Sequence, residues 1–413
     1  MSTIPPSRVG RRLLPCRLGR YTLFDHIGRG GMADIYLARA RTDLGASRLV
    51  VIKEVAPRLA GKPQFVEMLV TEAKLAARLR HASVVQVEDL GRERDSSGEE
   101  ALFIAMEYVE GLDLRELLRR AARQRVPMPI EFSLLVVAEA LRALSYAHRM
   151  GVLHRDVSPS NVLVSFEGEV KLCDFGIARA NELAEEGVDD ALQGKAGYMS
   201  PEHARGEVLD ERADVFAAGI LLWELLAGRK LYRAEGFQGL LELAQRAEIG
   251  PLPERRLPDE GVLQAIVMRA LEPRREDRYP SAAAMLRDLE AYAASAHLMA
   301  SPLRFGAWVR EHFGAELLRS RRARERAIRA LEMGPPVVIE PLSVPIPPQS
   351  PPPPPRAAFS SMTDEAFEEP ASPWVAVAPP SPPRSSSLRR VLARIGVGLA
   401  VAAPVIGWYV TSR

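Results

Sequence analysis

Between Val152 and Gly176 the chain sets three polar residues of catalytic type at the ends of short apolar runs, and few folds accommodate such a pattern. Val152 to Ser165 reads VLHRDVSPSNVLVS, and the apolar run Val170-Lys171-Leu172-Cys173 delivers Asp174-Phe175-Gly176. A solvated turn rich in charge would have to produce this whole constellation by chance. A hydroxyl nucleophile needs a carboxylate that accepts its proton and orients it, and Asp156 suits that role. Asn161, five residues later, offers an amide oxygen to a metal ion, and Asp174 is suited to chelate an Mg²⁺ that bridges phosphates.

Two earlier segments supply complementary parts. Tyr21 to Ala40 reads YTLFDHIGRGGMADIYLARA, two strand-like runs around a glycine-rich turn. Gly28, Gly30 and Gly31 at a hairpin tip can bring backbone N–H groups close to phosphates, because no Cβ obstructs them. Further on, Val50-Val51-Ile52-Lys53 closes an apolar strand on a lysine, which is costly unless the lysine meets an anion. Phe65, Leu69, Glu72, Ala76 and Leu79 are spaced 4, 3, 4 and 3 apart and so share one helical face. Glu72 is the acid on that apolar stripe. It needs a cationic partner, and Lys53 is expected to be that partner.

Glycine loop, strand lysine, helix glutamate, H-R-D, N, D-F-G and a P-E element occur in order and at ordinary spacing over residues 21–296. In this the chain resembles the protein kinases, and most of all the bacterial eukaryotic-type (Hanks-type) serine/threonine kinases. The resemblance implies an α+β fold of two lobes, a small β-rich N-lobe over about 21–106 and a larger helical C-lobe over about 110–296. It implies phosphorylation of serine or threonine on protein substrates, with ATP and Mg²⁺, or alternatively Mn²⁺, as cofactors. Lys53, Asp156, Asn161 and Asp174 would be catalytic, with Asn161 and Asp174 as the metal ligands. Ile27, Gly28, Arg29, Gly30, Gly31 and Ala33, the last in place of the usual third glycine, would cover the phosphates. Met106 would be the gatekeeper, the backbone of Glu107 and Val109 would read adenine, and Ile35, Val51 and Leu163 would sandwich the base. In support, His154 and Phe175 would stack, Glu202 of Ser200-Pro201-Glu202 would pair with Arg278, and Asp214 would bond the backbone of the His154–Arg155 turn. Asp214 opens DVFAAGILLWELLAG, apolar on nearly all faces, which suits a buried core helix.

Two positions depart from the family. Ser158 replaces the usual catalytic-loop lysine, which removes one positive charge from the transition-state cage, and Lys195 replaces a usual threonine. The alternative to a transferring enzyme is therefore a pseudokinase or membrane-anchored scaffold that binds ATP or partners. Intact Lys53, Glu72, Asp156, Asn161 and Asp174 weigh against it. From Phe175 to Met199 there is no Ser or Thr, and Tyr198 is the sole hydroxyl, so either one of Glu182, Glu185, Glu186, Asp189 and Asp190 takes the place of a phosphate on Arg155, or these acids form a solvated loop.

The remaining chain divides by composition. Residues 1–20 form a basic lead, 297–333 a charged helical extension, 334–390 a Pro-rich linker and 391–410 an apolar tail. From Gly334 to Pro383, 17 of 50 residues are proline, a composition that builds no core and presents a ligand for aromatic-lined modules. Ile395 to Val410 holds 16 residues without charge, behind Arg384, Arg389, Arg390 and Arg394 and ahead of Trp408 and Tyr409. That pattern reads as a single membrane span with the kinase domain on the cytoplasmic side. The run Leu13-Leu14-Pro15-Cys16 is too short for a signal-peptide core. With a net charge of +2 there is no basic excess to suggest nucleic acid as a partner, and two distant cysteines suggest a reduced compartment.

Overall fold

The computed structural model describes residues 12–30, 33–41, 47–94, 100–175 and 196–333. Alternation builds the first lobe. Strands β1 (Cys16–Leu18), β2 (Tyr21–Arg29), β3 (Ala33–Arg41), β4 (Ser47–Val55), β5 (Val87–Arg94) and β6 (Glu100–Glu107) form one antiparallel sheet, ordered β1-β2-β3-β4-β6-β5. In β6 the period of two sends Ala101, Phe103 and Ala105 to one face and Leu102, Ile104 and Met106 to the other. The first set packs with Leu18, Tyr21, Leu23, Tyr36, Val50 and Ile52. The second packs with Phe65, Leu69 and Ala73 of the helix that crosses the sheet, so β6 is buried on both faces. The sheet takes in Cys16–Leu18, which composition alone assigns to the lead. Leu18 is a core residue, and Arg12 donates to Glu54 through Nε and Nη2, each at 2.7 Å.

The helices of this lobe are α1 (Pro57–Ala60) and α2 (Pro63–Ala76). After β6, residues 108–110 pass to the second lobe, where β7 (Gly111–Asp113), β8 (Val162–Ser165) and β9 (Val170–Leu172) form a small antiparallel sheet. Its helices are α3 (Leu114–Gln124), α4 (Ile130–Arg149), α5 (Pro201–Ala204), α6 (Glu211–Ala227), α7 (Gly236–Arg246), α8 (Glu260–Ala270), α9 (Ala282–Ser295) and α10 (Pro302–Met333). The Asp210 carboxylate caps α6 at the N–H of Arg212 (2.9 Å), and Gly228, at φ 68°, ends it in the left-handed region. Every residue from Ala213 to Ala227 except Glu224 is buried, so the all-round apolar pattern marks the centre of the lobe. Among the described residues no helix is long and apolar enough to cross a membrane, and the apolar tail at 391–410 lies outside them, as does the linker.

Helix α10 covers most of the charged segment 297–333. The charged extension packs against both lobes. Near its start Phe305, Val309 and Phe313 recur every four residues and are buried in the C-lobe core, with Phe305 stacked on Phe132 at 4.9 Å. Each such side chain contributes about 1.5–3 kcal/mol of burial. Arg310 donates to the carbonyl of Phe166 at 2.6 Å and to Glu167 at 2.8 Å. Close to its end, Ala327 packs with Phe24 and Leu37 of the N-lobe. The C-lobe seat depends on glycine. A Cβ on Gly306 would lie 2.5 Å from the Glu167 carbonyl carbon, and one on Gly168 would lie 1.8 Å from the Pro302 oxygen. Gly306→Val is expected to lower Tm by roughly 4–8 °C, or about 2 kcal/mol in a domain of this size, and to expose the 297–333 segment to protease. Gly314→Ala, whose Cβ would meet its nearest neighbour at an ordinary 3.7 Å, is expected to leave Tm unchanged or raise it. Thermal unfolding of the two variants side by side checks both outcomes.

Candidate active site

The site is built around one carboxylate. Asp214, buried near the start of α6, accepts from the N–H of His154 (2.8 Å) and of Arg155 (2.7 Å), while His148 Nε2 lies 2.8 Å from it. These bonds hold a turn in which Arg155 has φ 65°, a left-handed conformation that costs a non-glycine residue about 1–2 kcal/mol. Burial alone would raise the Asp214 carboxyl, but hydrogen bonding and charge from His148, with further help from His154, hold it below its ordinary value. His154 carries the constraint onward. Its Nδ1 accepts from the Asp156 N–H at 3.2 Å and its Nε2 bonds the Cys173 carbonyl at 2.9 Å, which suits the neutral ring. Burial lowers its pKa in the same sense. Its ring centroid lies 4.6 Å from that of Phe175.

From that turn the candidate groups follow. Asn161 Nδ2 donates to the Asp156 carbonyl at 2.7 Å and to its Oδ2 at 2.9 Å, and the Cys173 N–H donates to the Asn161 carbonyl at 2.9 Å. Asp156, Asn161 and Asp174 are thereby tied into one cluster across β8 and β9. Asp174 itself has φ 64°. Burial drives the Cys173 thiol well above its ordinary pKa, so it stays protonated and unsuited to nucleophilic work. Ser158 is buried, its Oγ 3.1 Å from that of Ser160, in the place the resemblance gives to a lysine.

The charge pairing differs from the expected one. Lys53 Nζ meets Asp174 Oδ1 at 2.9 Å, and Glu72 Oε1 meets Arg155 Nη1 at 3.6 Å. Glu72 does turn inward on α2, at 9% exposure, and among the described residues it meets the cation of Arg155 rather than that of Lys53. The reason is competition. The Asp174 carboxylate lies within hydrogen-bond reach of the lysine, and the guanidinium of the constrained Arg155 turn reaches the glutamate instead.

Val51, Val109, Leu163 and Cys173 are partly buried and pack against the apolar cluster that includes Met106, beside residues 108–110. Ile35 pairs with Lys53 across β3 and β4 and is part-exposed, and Ile27 is 45% exposed. Glu107 is held by Lys171 Nζ at 2.5 Å, and its N–H donates to the Gln86 carbonyl at 2.9 Å. The β2–β3 hairpin has a residue that sequence reasoning passed over. Buried Asp34 accepts from Arg29 Nε at 2.8 Å and lies 3.1 Å from His26 Nε2, while the Gly30 N–H donates to the Ala33 carbonyl at 2.9 Å. Gly28 pairs with Ile35 across a register shift. The readable signal was an acid three residues past Gly31. Gly31, Gly176, Lys195 and the five acids from Glu182 to Asp190 lie outside the described residues.

The donors that remain suit a hard cation. Asn161 spends its amide nitrogen on Asp156, which turns its oxygen outward from that pair, and Asp174 adds a carboxylate. Among the described residues no group of three or more His, Cys, Asp or Glu is arranged to hold a metal alone. A pair of oxygen donors of this kind fits Mg²⁺, which keeps water or phosphate oxygens in its remaining positions.

Glu202 and Arg278 form the support beneath. Arg278 Nη1 and Nη2 donate to the two Glu202 oxygens at 2.7 and 2.8 Å, and its other donors reach the carbonyls of Glu272, Arg212 and Pro273. Its guanidinium lies 4.7 Å from the Phe216 ring centroid. Tyr198 is buried and donates to Glu224 at 2.5 Å, with Lys230 Nζ donating to it at 2.6 Å.

Residues 21–283 match the model of the protein kinase domain. Over 326 residues the chain is 39% identical to the Myxococcus xanthus protein named tyrosine-protein kinase MasK, covering 76% of this chain and 49% of that one. It is 38% identical over 274 residues to serine/threonine-protein kinase PknB of Mycobacterium leprae, covering 65% and 42%. It is also 38% identical over 287 residues to a probable serine/threonine-protein kinase of Streptomyces coelicolor, SCO3848, covering 67% and 40%. The chain thus spans about half the length, or less, of these curated relatives.

The Glu202–Arg278 pair gives a pH test. Burial pushes the Glu202 carboxyl up, but its hydrogen bonds with Arg278 outweigh that and hold it below 4.5, its ordinary value. A depressed folded value means stability that is present above the unfolded pKa and lost as pH falls through the folded one. The Tm gap between the wild type and Glu202→Gln is therefore expected to stay constant from pH 8 to about 5 and to narrow below about 4.5. A gap that does not change with acidification contradicts the assignment. The chain belongs to the protein kinase domain family, in the bacterial Hanks-type branch that its relatives represent.

Proposed function

We propose that the chain transfers the γ-phosphoryl group of Mg-ATP to serine or threonine hydroxyls of other proteins. The observation that carries this reading is the convergence of Asp156, Asn161, Asp174 and Lys53 on one cleft, held by Asp214 through His154 and Arg155. In that reading the acceptor oxygen forms a bond to the γ-phosphorus, the bond to the β-phosphate oxygen breaks, ADP leaves, and Asp156 takes the hydroxyl proton. Lys53 would hold the α- and β-phosphates. A bound Mg²⁺ on Asp174 and the Asn161 oxygen would supply charge neutralisation at the phosphates. Adenine would lie between Ile35, Val51 and Leu163 and bond the backbone of Glu107 and Val109, under the loop of Ile27 to Ala33. PknB and SCO3848 support serine or threonine as the acceptor by their names, whereas MasK is named for tyrosine.

Transfer of radiolabel from ATP to a generic basic protein tests the reading. Lys53→Ala, Asp156→Ala and Asp174→Ala are each expected to cut the rate by at least about 10²-fold while Tm stays near the wild-type value. Asp156→Ala keeps ATP affinity, and Asp174→Ala weakens the dependence on Mg²⁺. Phosphoamino-acid analysis of the product is expected to return phosphoserine and phosphothreonine. ATP binding with no transfer by the wild type identifies the binding-only alternative.

The membrane reading belongs to the same proposal. The Arg-flanked apolar tail would anchor the chain in the membrane, with the Pro-rich linker tethering a cytoplasmic kinase domain and offering a site to aromatic-lined modules. Fractionation is expected to find the full chain in membranes and a chain ending at Arg390 in the soluble fraction. A full chain that is soluble without detergent removes the anchor.

A further inference from the structure

Helix α10 lies beyond the segment that defines the kinase family, yet it grips the connection between the lobes. That connection is residues 108–110, and Val109 at its centre is the residue proposed to read adenine. Both neighbours of Val109 are held by α10. The Arg324 guanidinium lies 5.4 Å from the Tyr108 ring centroid, and Tyr108 packs against the cluster of Phe24, Leu37 and Ala327, as Ile328 does. On the other side Arg321 Nε donates to Glu110 Oε1 at 3.2 Å, and the Nη2 groups of Arg321 and Arg324 both donate to the same carboxylate. The Glu110 carbonyl accepts from the Phe166 N–H at 3.0 Å, so this residue is also pinned to the C-lobe. Burial alone would raise the Glu110 carboxyl, but hydrogen bonding from Arg321 and the charge of Arg324 hold it below its ordinary value, and it stays ionised at neutral pH.

The far end of the helix is fixed independently by Phe305, Val309 and Phe313 in the C-lobe. From Phe305 to Ala327 an α-helix spans about 33 Å at 1.5 Å per residue. The helix is thus a rod seated in the C-lobe, and its arginines reach the connection at Glu110 and Tyr108. A short connection left to itself samples many backbone conformations, and a ligand that bonds its peptide groups must order it on binding. Fixing the backbone beforehand removes that cost from the binding step.

We propose that Arg321 and Arg324 are positioning residues for the nucleotide: through Glu110 and Tyr108 they splint the connection so that Val109 presents its peptide groups to adenine. This rests on the kinase reading. It adds that the functional unit extends to residue 328 rather than ending with the family's own segment. The alternative is a helix that merely stabilises the domain, with surface charges of no consequence for the nucleotide.

The two are separated by where the loss falls. In the full chain, Arg321→Gln with Arg324→Gln is expected to raise both the Kd for Mg-ATP by calorimetry and the KM for ATP roughly tenfold, the scale of a charged hydrogen bond. The kcat for a basic protein acceptor is expected to change far less, because saturating ATP restores the complex. Glu110→Gln removes the charge but keeps the shape, and is expected to raise Kd in the same direction. Adding it to the double variant is expected to deepen the loss by less than the separate effects combined, since all three act through one contact. If the double variant fails to fold, Glu110→Gln alone decides. A Kd within twofold of the wild type in folded variants overturns the proposal while leaving the kinase reading intact, and so does a loss confined to kcat. A wild-type chain that binds no ATP overturns both.

Discussion

The Asp214 carboxylate is the interaction on which the rest of the site depends. It sits at the start of a helix buried on nearly every face, where an acid is tolerable only if several donors reach it. Two of those donors are consecutive backbone N–H groups of a turn whose second residue occupies the left-handed region. The helix needs the turn to satisfy its acid, and the turn needs the acid to hold its strained conformation. His154 then passes the constraint to Asp156 through Nδ1 and to the end of β9 through Nε2. In that way one buried charge fixes both the turn that carries Asp156 and the end of β9 that leads to Asp174.

Much of this was legible in the sequence, because the relevant signals are local. The apolar runs around Asp156 and Asp174, the stripe that brings Glu72 inward and the all-round apolar α6 each depend on nearest neighbours along the chain. What sequence reasoning missed depends on choices among partners across the fold. Lys53 and Glu72 face each other in expectation, but two further groups, Asp174 and Arg155, compete for them at similar range. A pattern on one helix and one strand cannot rank four charges that meet only in space. Asp34 was overlooked for the same reason, since its value lies in the Arg29 and His26 side chains that reach it from the opposite strand.

Helix α10 illustrates a different blind spot. Its arginines dominate its composition, which reads only as a charged helical extension. The apolar stripe of Phe305, Val309 and Phe313 was readable at helical spacing, and so was the Ala327–Ile328 pair near its end. Between them the helix must pass the lobe connection, and its length of 32 residues allows that. Arg321 and Arg324 take part in the fold through Glu110 and Tyr108, partners more than two hundred residues earlier in the chain. The alignment with MasK covers 326 residues, longer than the segment matched by the family model, so similarity to that relative is not confined to the kinase segment.

Charge balance in the cleft bears on what it can accept. Among the described residues the central groups are the carboxylates of Glu72, Asp156 and Asp174 and the cations of Lys53 and Arg155. Ser158 adds none of the positive charge that a lysine would bring. A divalent ion carried with a triphosphate would let Asp174 act as a ligand rather than a repelling charge and would free Lys53 to turn toward phosphate oxygens. That exchange accounts for Lys53 resting on Asp174: each is a counter-charge for the other, and a metal–nucleotide complex would supply a replacement for both at once.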